Sequence, residues 1–204
     1  MALYRVVDAR FPFLWSAAVG PQQPAARWHD AGEGPVQYLA DTPVGAWAEL
    51  LRHEEIREPE DLAGVVAVLW TVESPAEAAE TEADPIALPD LPTAVLVGGR
   101  DTYEACRAEA RRLRARGIRR LVAPSAALRS GEAAGWALDG GVQVRSSPRD
   151  GRVHVVFGEL AGAIGWRAAE GGVSREVLAA VRHFDAADAI AHGSLPSKPE
   201  APSP

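Results

Sequence analysis

An α+β domain is predicted for this chain of 204 residues. Three observations carry that prediction: apolar runs of strand length, apolar stripes at helical spacing behind capping signals, and enough apolar residues for one core. Leu3 to Val7 reads as an opening strand, and Val36 to Ala40 as a second. Between them lie a Pro/Gly/Gln-rich loop and the turn Ala31-Gly32-Glu33-Gly34-Pro35. Thr42 can cap a helix with Pro43 in its first position. That helix is expected to run to about Ile56, burying Val44, Trp47, Ala48 and Leu51.

Leu62 to Val72 is nearly continuous apolar sequence, as a buried strand would be. Glu73 to Pro92, rich in Ala, Glu, Asp and Pro, reads as a surface excursion. The apolar elements on either side are too few for two cores, so residues 1–192 are read as a single domain. Asp101-Thr102-Tyr103-Glu104 has a capping-box pattern, followed by the stripe Tyr103, Cys106, Ala110 and Leu113, with Gly117 closing the helix. The arginines crowding this helix read as a solvated face partly neutralised by Glu104 and Glu109. Leu121 to Ala123 and Arg152 to Phe157 are further strands. Ser174 opens a last helix with Val177, Leu178, Val181 and Phe184 on one side, and the Pro/Ser-rich tail 193–204 is expected to be disordered.

Composition narrows the function. A formal net charge of −7 gives no general attraction to nucleic acid or anionic lipid, though a small basic pocket remains compatible with it. One cysteine permits no internal disulfide, and no stretch is apolar enough to span a membrane, so a cytoplasmic location is expected. The five histidines have no metal-ligand spacing, no phosphate-binding glycine loop follows a strand, and Cys106 sits on an apolar face. A metal site is not expected.

What remains is a dispersed polar set: Arg5, Arg27, Tyr38, Glu49 and Ser125. Arg5 follows Leu3-Tyr4, and Arg27-Trp28 precedes a Gly-Pro turn. Pro35 to Ala40 then leads into Ala46-Trp47-Ala48-Glu49-Leu50-Leu51-Arg52-His53, with Leu121-Val122-Ala123-Pro124-Ser125-Ala126 far downstream. In this order the set resembles the RES domain, named for its Arg, Glu and Ser, over roughly Leu3 to Phe157. Ala25-Ala26 stands where that family usually has Gly-Gly, and His29 where it usually has Asn. A further departure is Leu128 to Glu132, in place of a polar stretch containing Asn.

The resemblance implies an ADP-ribosyltransferase-like fold, with small central sheets forming a cleft between flanking helices. It also implies a toxin that degrades NAD+, as an NAD+ phosphorylase or an NAD+ glycohydrolase, often paired with an Xre-type antitoxin. NAD+ would be substrate rather than cofactor, with inorganic phosphate or water as acceptor. Oligomeric state stays open, as do two other readings: transfer of ADP-ribose to a protein, and a non-catalytic nucleotide- or partner-binding module.

The residue types suit this chemistry. Breaking the nicotinamide–ribose bond expels a neutral leaving group and leaves an oxocarbenium-like sugar, which a carboxylate stabilises. Glu49, Arg27 and Tyr38 are the catalytic candidates, with Glu49 opposing that charge, although its place opposite the apolar stripe equally suits a solvated glutamate. Arg27 and Arg5 offer forked donors for the pyrophosphate or an attacking phosphate. Tyr38 could stack on nicotinamide, bond ribose or simply pack. Ser125 could bond ribose or carboxamide, or serve its own turn. Trp28 and Trp47 read as packing residues.

Overall fold

The computed structural model describes residues 2–73 and 86–185. The expected tail and most of the excursion after Glu73 lie outside the described residues. Seven strands form one sheet: β1 (Leu3–Asp8), β2 (Val36–Ala40), β3 (Ala67–Glu73), β4 (Ile86–Ala87), β5 (Arg120–Pro124), β8 (Arg152–Phe157) and β9 (Ile164–Glu170). Their spatial order is β4-β5-β8-β2-β1-β3-β9, and only β4 and β5 run parallel. A separate hairpin consists of β6 (Trp136–Asp139) and β7 (Val142–Arg145). The helices are α1 (Pro43–His53), α2 (Thr93–Leu96), α3 (Tyr103–Ala115) and α4 (Arg175–Ala179). The fold is mixed α/β, with one large sheet and few helices.

The sheet is nearly cut in two. β1 pairs with β3 from Leu3↔Val72 through Asp8↔Ala67, and β2 pairs with β8 from Val36↔Phe157 through Ala40↔Val153. Between β1 and β2 the register holds only Tyr4↔Ala40. Past that pair Arg5–Asp8 and Val36–Leu39 part. α1 packs over the β1–β3 half, burying Ala48 and Leu51 against Tyr4, Val6 and Leu69. α3 packs on the same face over the other half, burying Cys106, Ala110 and Leu113 against Val36, Leu121 and Val155. Each fully buried aliphatic side chain contributes roughly 1.5–3 kcal/mol. The opposite face is covered by loop residues Phe13, Leu14 and Leu160 over Leu3, Leu39 and Val72.

Several boundaries differ from the sequence reading for local reasons. α1 ends three residues before Ile56, because Glu55 takes the left-handed position (φ 53°) and the Ile56 N–H returns to the Leu51 carbonyl at 2.9 Å. The long apolar run divides at Gly64: Pro59–Gly64 is a 3-10 turn, Val66 is exposed, and the strand begins at Ala67. Asp101 does not cap α3. A 3-10 turn, Arg100–Thr102, precedes the helix, and Thr102 Oγ1 donates to Gly99 O at 2.8 Å. α4 stops at Ala179, since Val181 bridges to Leu128. Ile86–Ala87, expected in the excursion, forms the sheet-edge strand β4.

The cap on α1 has a direct test. Thr42 is 9% exposed, and its Oγ1 accepts the Gly45 N–H at 3.1 Å. Thr42→Ala is expected to lower the unfolding free energy by about 1 kcal/mol, read as a shifted urea midpoint with unchanged slope.

Candidate functional site

A cleft of about 220 Å3 opens where β1 and β2 separate. β1 contributes Tyr4, Arg5 and Val6, and β2 contributes Tyr38 and Ala40. The α1 wall carries Glu49, Arg52 and His53, a facing pattern expected from spacings of three and four. Ala26-Arg27-Trp28 and Tyr103, the first residue of α3, close the other side.

Glu49 is neither core nor bulk surface. Its side chain is 30% exposed, with Oε2 at 4.0 Å from His53 Nε2. Ser125 Oγ donates to Glu49 Oε1 at 3.2 Å. The same hydroxyl accepts the N–H groups of Ala127 and Leu128 at 3.3 and 3.2 Å, which uses its one donor and both acceptor sites. Ser125 is buried behind the cleft wall, so it fixes the carboxylate and its own turn and does not line the cavity.

Arg27 is buried and anchored to protein. Nη1 donates to Val95 O at 3.2 Å and Thr102 Oγ1 at 3.1 Å, and Nη2 to Gly98 O at 2.7 Å. Its guanidinium also lies over the Tyr103 ring, 4.5 Å from the centroid. Arg52, unnoticed as a site residue in the sequence, shares this anchor. Its Nη2 donates to Gly98 O at 2.8 Å and its Nη1 to Ala126 O. Burial lowers the Arg52 pKa, an effect that Glu49 opposes.

Arg5 leaves its strand on the face of Gln37 and Leu39, opposite Tyr4 and Tyr38. It lines the cavity where the strands part, with Nη1 donating to Gln37 Oε1 at 3.3 Å. Burial lowers its pKa to about 10, which keeps it cationic at neutral pH. Among the described residues, none of Arg5, Arg27 and Arg52 has a carboxylate within ion-pair distance. Two buried guanidinium groups, Arg27 and Arg52, and the half-buried Arg5 therefore line a cavity with one glutamate, and the pocket is cationic within an acidic chain.

Tyr38 is held by its hydroxyl. Trp28 N donates to Oη at 3.1 Å, and His29 Nδ1 lies 2.8 Å from it. Burial drives the phenol pKa up, so Tyr38 stays neutral. His29 is fully buried beneath this pair and is absent from the cleft wall. Trp28 and Trp47 are buried, as expected of packing residues. The arginines of α3 lie in ion pairs away from the cleft: Arg107 and Arg111 with Asp30, Arg112 with Glu109, and Arg114 with Glu33.

The structure thus brings Arg5, Arg27, Tyr38 and Glu49 to one cavity and sets Ser125 against Glu49. It adds Arg52, His53 and Tyr103. Arg52 and His53 could have been found from their helical spacing to Glu49, but Tyr103 looked like the first residue of a core stripe. A carboxylate beside several desolvated cations can bind a polyanion and oppose a developing positive charge next to it.

The model of the RES domain family matches residues 2–154, and the chain belongs to that family. Among solved structures it is similar to a chain in the crystal structure of the M. tuberculosis MbcT–MbcA toxin–antitoxin complex. The identity is 14% and the TM-score 0.46, covering 81% of this chain and 84% of that one. No curated protein matches the sequence.

Gly98 is where both anchored arginines converge, and it tolerates no side chain. A Cβ there would meet Thr102 Cγ2 at 2.5 Å and Ala94 O at 2.8 Å. Gly98→Ala is expected to cost about 1–3 kcal/mol and to abolish anion binding at the cleft. Gly64→Ala, where a Cβ meets nothing within 4 Å, should leave both intact. Thermal melting and calorimetric titration with ADP-ribose read the two effects.

Proposed function

We propose that this protein degrades NAD+ by breaking its nicotinamide–ribose bond, with phosphate or water as acceptor. One observation carries the reading: Glu49, fixed by Ser125, faces a cavity that also holds Arg5, Arg27 and Arg52 without carboxylate partners. Membership of the RES family supports the same conclusion, and the gap between β1 and β2 offers the dinucleotide a recess.

Nicotinamide leaves as a neutral base, so no general acid is required. Glu49 opposes the positive charge that grows on the ribose. Arg5 and Arg52 hold the pyrophosphate, or the attacking phosphate. Arg27 is tied to two protein carbonyls and the Thr102 hydroxyl, and its main part is to shape the wall and add charge. Tyr38 offers a neutral ring for packing against base or sugar. His29 is off the wall, and its departure from the family pattern bears on the site through its contact with the Tyr38 hydroxyl. Depletion of the dinucleotide makes such an enzyme a toxin, and an inhibitory antitoxin of the Xre type is the partner proposed for it.

Purified protein, freed of any inhibitory partner, is expected to release nicotinamide from NAD+, as followed by liquid chromatography with and without phosphate. Glu49→Gln, nearly isosteric, should cut that rate by about 100-fold or more while the melting temperature holds. Arg27→Ala is the poorer variant, because it also removes a buried side chain that ties Val95, Gly98 and Thr102 together. Intact NAD+ under both conditions would contradict the proposal.

A further inference from the structure

Residues beyond the stretch that the family's model matches reach back to the site. The main chain after α4 pairs with the turn that follows Ser125. Arg129 N donates to Ala180 O at 3.0 Å, and Arg182 N to Ala127 O at 2.7 Å. Phe184 then turns inward and is 2% exposed. Its ring lies under two guanidinium groups, 4.2 Å from Arg52 and 4.8 Å from Arg100. Its carbonyl accepts Arg57 Nη2 at 2.6 Å.

Arg52 depends on this contact more than its hydrogen bonds suggest. Each of its terminal nitrogens binds one carbonyl, Nη2 that of Gly98 and Nη1 that of Ala126, while the buried Nε has no partner. Among the described residues no carboxylate lies within ion-pair distance, so the face of Phe184 is the electron-rich surface against which the cation rests. Arg52 in turn holds Ala126, next to the serine that fixes Glu49.

We infer that residues 180–184 form a latch, with Phe184 a positioning residue that sets Arg52 and, through the Ser125 turn, the carboxylate of Glu49. The inference rests on the NAD+-degrading reading for its effect on turnover, but not for its effect on Arg52. An aromatic face is the required property, not bulk alone. Phe184→Leu keeps an apolar side chain and loses the face, whereas Phe184→Tyr keeps it.

Nicotinamide release and the solvent exchange of the Arg52 Nε–H signal in 15N spectra are measured together, below the melting transition. Phe184→Leu is expected to lower turnover roughly tenfold and to speed the Arg52 exchange, with Phe184→Tyr restoring both. Arg57→Ala, which loosens the latch from the surface, should act in the same direction and serves if Phe184→Leu does not fold. If wild-type protein releases no nicotinamide, the functional reading fails and the Arg52 exchange alone decides the latch. Wild-type turnover and unchanged Arg52 exchange in Phe184→Leu, or equal losses in the Leu and Tyr variants, would overturn it.

Discussion

The pairing of β1 with β2 at a single position, Tyr4↔Ala40, is the constraint from which the rest of the site follows. Each half of the sheet is well made, because β1 has β3 and β2 has β8 as full-length partners. Each half also has its own helix on the same face. The two halves part along one seam on the helix-covered face, while Leu3, Leu39 and Val72 join them on the other. The seam then becomes a recess whose walls are rigid strands and helices, which hold reacting groups more accurately than loops do.

Electrostatics explains why the recess is suited to a ligand and not to packing. Buried guanidinium groups are costly unless they find compensating partners. Here Arg27 and Arg52 find backbone carbonyls and aromatic faces, and Arg5 finds an amide, so the cations are held in place without being neutralised. Glu49 supplies the one carboxylate on the wall, and Ser125 limits its freedom. A polyanion entering the recess would supply the missing countercharge, while the carboxylate would sit where positive charge develops. The acidic surface of the chain as a whole does not reveal this, since net charge averages over it.

Much of the fold was legible because local signals agreed with burial. The limits of β2 and β8 follow from apolar runs, and Thr42-Pro43 marks the start of α1. The hairpin β6–β7 and strand β9 were missed because Trp136, Leu138, Val142 and Trp166 are exposed, which leaves no buried face to read. The site divides in the same way. Arg27, Tyr38, Glu49 and Ser125 could be assembled from their ordered resemblance to a family. Gly98 and Phe184 could not, because their importance lies in what long-range folding sets against them: two guanidinium groups on one carbonyl, and one ring beneath Arg52. Ser125 was found, but its contact with Glu49 spans 76 residues of sequence and needed the structure.

The most direct test is a crystal structure of Glu49→Gln protein soaked with NAD+. The account predicts dinucleotide density in the gap between residues 5–8 and 36–39, with the pyrophosphate in hydrogen-bond reach of Arg5 or Arg52 and the nicotinamide ribose beside residue 49. Dinucleotide bound at another surface, with the gap left to solvent, would contradict it.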